Sequence, residues 1–373
     1  MRTVQRLLYR DIAGSVLFVA LAFLSLFYFI DFVDEIDRMN RAGAGAGAAA
    51  LLALMELPGH FYELFPIAVL IGSIFSLARL AQSSEFTILR TGGLGPGRAL
   101  SLLALLALGF ALVTFAIGDY VAPYFERQSE VLRTRFVGAG ATGRSGAWLK
   151  DHQTERGQER SFSVNVGRAN ANGQLQAVRI FEFDSQGRLV SRVEAEQAVV
   201  DAGGQWQLSK VLRTEWLTLP ADMADSAPVV RETRLPSLSW QSSLDAEVIA
   251  AAVLPARSMS TLELYRYTEH LSAQEQSAQA YNIQFWRKVF YPFACFVMVA
   301  LALPFAYLHG RAGGISLKVF GGIMLGISFV LLNNVSSHLG LLKGWSPWGV
   351  AVTPSLVYLA LSLAAFGWLV RFR

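Results

Sequence analysis

Apolar and polar positions follow two different rhythms along this chain. Six stretches are apolar almost without interruption: Ile12–Ile30, Leu57–Ala78, Ala99–Gly118, Val289–Leu308, Val319–Ser337 and Gly344–Val370. Each reaches the roughly 18–20 residues that a helix needs to cross a bilayer core. Five carry no Lys, Arg, Asp or Glu, and the second carries only Glu63, with His60 one turn away. The third run closes at Asp119, Tyr120 and Pro123. From Trp148 the pattern changes to alternation of period two. FSVNVG, QAVRIFEF, RLVSRVEAEQAVV, QWQLSKVLRTEWLTL and PVVRETRLP are rich in β-branched and aromatic residues, and turns at Asn170–Gly173, Ser185–Gly187 and Ala202–Gly204 separate them. Helical spacing returns at Met259 and leads into the fourth apolar run.

The expected fold is therefore a membrane α-helical protein of six transmembrane helices. An all-β, sandwich or jelly-roll-like domain of about residues 145–245 is inserted between helices 3 and 4. This divides the chain into an N-terminal membrane part (1–123), an extramembrane β part with its linkers (124–258) and a C-terminal membrane part (259–373). Met1–Asp11, with Arg2, Arg6 and Arg10 on one face, reads as an interfacial helix entering the first span. The first apolar run exceeds a signal-peptide core, and no small-residue cleavage site precedes the acidic DFVDEID, so it reads as retained. The Gly/Ala run 42–50 reads as a flexible linker. Pro58 and Pro66 predict kinks in span two. Gly321, Gly322, Gly326 and Ser328 predict close helix packing in span five, and Asn333 a bond to a neighbouring helix. Tyr265, His270 and Tyr281 carry polar tips suited to an interface.

Composition agrees with the pattern. Of 373 residues, 53% are hydrophobic and 16% charged, with a mean hydropathy of +0.39, which excludes an ordinary soluble domain. The net charge of +4 is unevenly placed. Segments 1–11, 79–98, 309–318 and 371–373 hold ten Lys and Arg against two acids, whereas 31–63 holds two against six. This asymmetry is the positive-inside pattern rather than a nucleic-acid surface. It predicts cytoplasmic termini and places residues 82–93 in the cytoplasm and the β-domain outside. A single cysteine, Cys295, excludes an intrachain disulfide.

The interruption AQSSEFTILRTGG (81–93) stands out among the short loops. Ser83 and Ser84 suit a helix N-cap, Glu85 its first turn, Arg90 its last and Gly92–Gly93 its stop. Phe86, Ile88 and Leu89 form an apolar edge. A short capped amphipathic helix joining two spans is a docking lever for a soluble partner, against the ordinary reading of a solvated turn. Two further clusters have plain alternatives. Asp31, Asp34, Glu35 and Asp37 after span one lack calcium-loop spacing and read as a solvated helix end. His60 with Glu63 suits a proton relay or a pair reaching the interface. No phosphate-binding loop for ATP, zinc-protease motif, serine-hydrolase motif or metal spacing among the five histidines occurs. No cofactor is expected, and an enzyme of its own is disfavoured.

FVDEID after span one, LPGHFYELFPIAVLIGSIFSLARLAQSSEFTILRTGG, DYVAP after span three and AWLKD opening the β-domain resemble the LptF/LptG permease family of lipopolysaccharide transport. FVDEID and LPGHFYELFP lie closer to its LptG branch. The resemblance covers nearly the whole chain. It implies an inner-membrane ABC-transporter permease that extracts lipopolysaccharide, paired with a sister LptF-like permease. A dimer of the ATPase LptB would supply hydrolysis, and the single-span LptC would be a further partner. Residues 82–93 would be the coupling helix, with Ser84, Glu85, Phe86, Leu89 and Arg90 at the ATPase groove. Spans one and five would line the lipid gate. The chain departs from the family at Asp31, where a basic residue suited to lipid phosphates is common. Arg38, Arg41, Arg133 and Arg135 are the nearest guanidinium groups for that task. The rivals are the LptF role, a sensor or scaffold with an outer ligand-binding domain, and, third, an intramembrane enzyme. The sensor reading suffers from cytoplasmic segments too short to carry an output domain.

Overall fold

The computed structural model describes residues 2–83, 85, 88, 91, 95–137, 147–155, 158–169, 174–201, 203–217, 229–244, 248–249, 258–273, 278–307 and 314–371. Two compact units emerge, Met1–Val137 with Asn282–Arg373, and Gly138–Tyr281.

The first unit is helical. Its elements are α1 (Arg2–Arg41), α2 (Gly45–Gln82), α3 (Pro96–Ala116), a π-helical turn (Ile117–Val121), α4 (Ala122–Val137), α6 (Gln279–Tyr307), α7 (Ile315–Lys343) and α8 (Pro347–Arg371). Six helical stretches among the described residues are long and apolar enough to cross a membrane; four contain a run read from sequence, and the fourth and sixth cover most of theirs. The first three helices outrun the runs read from sequence. Arg2–Asp11 is continuous with span one rather than a separate interfacial helix. Span three does not close at Pro123. A wider π-helical turn comes just before it, and the helix runs on through Pro123 into α4.

The Gly/Ala linker is also corrected. Ala46–Ala50 is the first turn of α2, and Ala48 and Ala49 are buried with Leu52 against Met39 of α1. Alanine is the strongest helix former, and its small side chain lets the hairpin close tightly.

Helix α2 is the hub, with an unbroken buried run from Phe65 to Ile74. A helix apolar on every side is one surrounded by other helices. It receives α1 through the stripe Leu8, Ile12, Val16 and Ala20, spaced by four residues. At Gly72 an added Cβ would come 2.6 Å from the Val16 backbone, so only glycine permits this crossing. On the other flank, Gly322 of α7 meets Ile74 Cδ1, 2.6 Å from where its own Cβ would be. The predicted small-residue packing in span five is thereby met by α2, and Ser328 Oγ pairs with Tyr358 Oη of α8 at 2.6 Å. Asn333 turns back to its own helix and donates to Phe329 O at 3.1 Å.

The second unit holds the β-domain expected between the third and fourth spans. Strands β1 (Ala147–Glu155), β2 (Gln158–Ala169), β3 (Gln174–Phe183), β4 (Leu189–Val200), β5 (Gln205–Leu217) and β6 (Val229–Gln241) form one antiparallel sheet in sequence order. Among the described strands every pairing joins sequence neighbours, so the sheet is a meander without crossovers. At two of the expected turns an aspartate does the same work. Asp184 accepts from the N–H groups of Gln186 and Arg188, and Asp201 from those of Gly203 and Gln205. The N–H of Arg188, followed by its guanidinium, holds the Asp184 carboxyl below its ordinary range.

The sheet curls until its first and last strands meet at one end. Asp151 of β1, wholly buried, accepts from Ser242 Oγ at 2.7 Å and Ser243 Oγ at 2.6 Å just beyond β6. Gln153 donates to Gln241 O at 2.8 Å. Inside the curl lie Phe162, Trp206 and Trp240, and the Trp206 indole donates to Leu244 O at 3.0 Å. Helix α5 (Thr261–Ala273) follows behind a reciprocal cap between Ser260 and Glu263. Of the residues proposed for an interface there, Tyr265 is exposed, while Tyr281 packs edge-on against buried Tyr267, ring centres 4.8 Å apart.

A crease crosses this sheet. On β2 to β6 the ladder is paired on both sides of Gly167, Ala177, Glu196, Lys210 and Pro236, but not at them. Ala177 (φ 54) and Lys210 (φ 52) are left-handed. The inward positions change parity there. On β3, Leu175 and then Val178 and Ile180 are buried; on β4, Ala195 and then Ala198; on β5, Leu208 and then Val211. Each strand thus carries one residue outside its alternation at the same level.

Candidate functional site

Two regions of the helical unit concentrate the side chains singled out by sequence. The first is the connection between α2 and α3. Ser84, Phe86, Leu89 and Arg90 lie outside the described residues. Glu85, Ile88 and Thr91 are helical and exposed, with Thr91 Oγ1 donating to Ile88 O at 3.0 Å. The N–H groups that a Ser83 cap would bond lie in part outside the described residues. Ser83 itself ends α2, with its N–H bonding Arg79 O at 3.0 Å and its hydroxyl Leu80 O at 3.3 Å. Nearby, Arg79 pairs with Asp11 of α1 at 2.8 Å. Glu85 thus projects to solvent just beyond the end of α2.

The second region lies at the opposite ends of α1 and α2, where α4 packs against them. Asp31 and Glu35 are one turn apart on α1, and Glu56 and His60 are one turn apart on α2. That spacing puts each pair on one helix face, and the short hairpin at 42–44 turns the faces toward each other. His60 Nε2 lies 2.7 Å from Asp31 Oδ2, and the Phe27 ring packs tilted against the imidazole, centres 4.8 Å apart. The sequence pairing of His60 with Glu63 is corrected, since Glu63 is exposed. The solvated helix end holds for Asp34 and Asp37 but not for Glu35, which is 3% exposed. An acid so placed needs a compensating charge, and Arg133 of α4 supplies it. Its Nη2 donates to Glu35 Oε1 and to Glu56 Oε1, the latter at 2.7 Å, and Glu130 stands 3.8 Å from Nη1. Glu56 carried no sequence signal of its own. Its position four residues before His60, facing a second acid pair, was the only clue.

The four arginines proposed for anion contact differ in freedom. Arg133 is engaged by these carboxylates. Arg38 donates to Glu35 Oε1 at 3.2 Å but is 57% exposed. Arg41 donates to Asp37 O at 3.1 Å and is exposed. Arg135 is exposed at the end of α4. The spans beside them keep apolar faces open: Leu17, Phe18, Leu21 and Phe29 on α1, and Leu317, Phe320 and Leu331 on α7. Such faces suit lipid or a second membrane protein. Chemically, the region offers anchored guanidinium groups over an apolar wall, and one imidazole with two carboxylates whose ligand atoms lie within 4.8 Å of one another.

Comparison with known proteins places these features in a family. The family model for the lipopolysaccharide export system permease LptF/LptG matches residues 6–368. The chain is 28% identical over 313 residues to the lipopolysaccharide export system permease protein LptG of Escherichia coli K12, covering 83% of this chain and 82% of that one. It is 26% identical over 310 residues to LptG of Haemophilus influenzae, covering 82% of each.

Proposed function

Because the chain belongs to the LptF/LptG family of lipopolysaccharide export permeases, we propose that it is the LptG-type subunit of an ATP-driven machine that extracts lipopolysaccharide from the inner membrane. The single observation that carries this reading is the family match from residue 6 to residue 368, which takes in both helical parts and the β-insertion. The LptG names of the curated relatives favour that role over LptF.

In this reading ATP is hydrolysed by an LptB-like dimer, and the permease contributes the lever. Glu85, exposed on a helical segment, bonds the ATPase, and Ser84, Phe86, Leu89 and Arg90 complete the contact. The rigid hub of α2, locked to α1 at Gly72 and to α7 at Gly322, carries the motion across the bilayer. Spans α1 and α7, with their open apolar faces, form the lipid path together with an LptF-like partner and an LptC-like helix. Arg38, Arg41 and Arg135 meet the phosphates of the head group by bidentate guanidinium bonds, and Arg133 joins them when its carboxylate partners release it. The curled sheet receives the lipid in the periplasm and passes it on.

The test is purification of the full chain with its native partners, wild type against Glu85→Ala. Truncating a central contact of this kind costs about 2 kcal/mol or more, over tenfold in affinity. The expected result is co-purification of an ATPase and a second six-span permease with the wild type. Glu85→Ala should insert normally but lose ATPase association. Full association and lipid export in Glu85→Ala would remove the lever assignment. A chain that brings down neither ATPase nor glycolipid would remove the transport reading itself.

A further inference from the structure

The Asp31–Glu56–His60 cluster is built more tightly than charge pairing alone requires. One ligand atom from each residue lies within 4.8 Å of the other two. The three come from two helices whose relative position is fixed at a second point by the Gly72–Val16 crossing. The imidazole is held in place by Phe27, which restricts its ring before any ligand arrives.

Two further observations point to a missing cation. Glu35, one turn along α1 from Asp31, is 3% exposed, and its Oε2 has no hydrogen-bond partner among the described residues. Its Oε1 shares the single Arg133 Nη2 nitrogen with Glu56, so Glu35 is joined to the cluster through that guanidinium while its second oxygen stays unpartnered. A buried acceptor without a partner costs about 1–3 kcal/mol, more when charged. The second observation is charge. The connected groups are the carboxylates of Asp31, Glu35, Glu56 and Glu130 and the guanidinium groups of Arg133 and Arg38. With His60 as the neutral imidazole that a metal ion requires, these six side chains leave two negative charges, a balance that suits a divalent ion.

We propose that Asp31, Glu56 and His60 are the ligands of a divalent transition-metal ion, Zn2+ or Mn2+, that clamps α1 to α2, with Glu35 as the acid that supports them. Imidazole among the ligands favours these ions over Ca2+ or Mg2+, which take oxygen. Ligand distances of about 2.0–2.2 Å require His60 Nε2 and Asp31 Oδ2, now 2.7 Å apart, to part slightly as the ion enters between them. The ion takes the lone pair of an unprotonated His60 Nε2, and the neutral imidazole keeps its one proton on Nδ1, so the ring carries no net charge as a ligand. Rotation about the side chains suffices, because both residues are partly exposed. The site stands independently of the transport reading.

The experiment uses the full chain in detergent, stripped with EDTA and exchanged into chelator-free buffer. Mn2+ uptake is read by electron paramagnetic resonance and Zn2+ by its displacement of Mn2+. The expected result is one saturable Mn2+ per chain, displaced by Zn2+, with pulsed resonance showing one directly coordinated imidazole nitrogen. Asp31→Asn and His60→Gln should each weaken binding about tenfold or more, whereas Cys295→Ser and His338→Gln should leave it unchanged. No saturable uptake, uptake equal in Asp31→Asn and His60→Gln, or the absence of a coordinated nitrogen in the wild type would each overturn the site. The nitrogen signal needs no variant, so a substitution that fails to fold leaves the test intact.

Discussion

Arg133 shows how a single residue can be read in two ways until its neighbours are known. In the sequence it is an arginine beyond an apolar span, available to an anion. In the structure it is held by Glu35 and Glu56, with Glu130 nearby. Removing one partner of a buried pair strands the other charge, at about 3–5 kcal/mol. Arg133→Ala should therefore lower the thermal midpoint of the full chain strongly. Arg133→Met with Glu35→Gln should recover much of the loss, because no uncompensated charge then stays buried. Equal midpoints for Arg133→Ala and wild type in a fluorescence melt would show that Glu35 finds its compensation elsewhere. Asp31 makes the same point. Where a positive group would suit lipid phosphate, it pairs instead with His60, so the local charge depends on a neighbour from another helix.

At the scale of the element, helices and strands departed from their sequence patterns for different reasons. The spans were legible because a continuous apolar run of that length has one solution in a bilayer. Their ends were not, because polar residues such as Asp11, Asp37 and Glu126 can extend a helix past the membrane without breaking its hydrogen bonds. The strands were legible from alternation and from turn residues such as Gly187 and Gly204, both with positive φ. The crease was not, since a phase slip in a short strand looks like noise. It leaves a measurable trace. A non-glycine residue in the left-handed region costs about 1–2 kcal/mol, so Ala177→Gly should stabilise the β-unit by about 1 kcal/mol. Ala177→Val, β-branched, should destabilise it by more than that. Amide exchange across β2 to β4 in the full chain would separate the two. A stabilising Val would mean that the crease relaxes without strain.

At the scale of the whole molecule, the ten basic residues on one set of segments predict sidedness, and a direct measurement checks it. In a Cys295→Ser background, single cysteines at Glu85 and at Arg188 should react oppositely with a membrane-impermeant maleimide on intact cells. Position 188 should label and position 85 should not. Labelling of both, or the reverse, would invert the topology.

What the sequence by itself determined was the class: six spans, an all-β insertion after the third and the LptF/LptG resemblance. The physical reason is that length, hydropathy, alternation and turn chemistry are local properties, readable a window at a time. What only the tertiary structure decided was which charges meet. Asp31 with His60 and Glu35 with Arg133 are separated by 29 and 98 positions, and their encounter depends on the tight Ala48–Ala49 hairpin and the glycine crossing at Gly72. Close packing of small residues turns helix faces that look merely polar into a buried electrostatic site, and no local pattern encodes that approach.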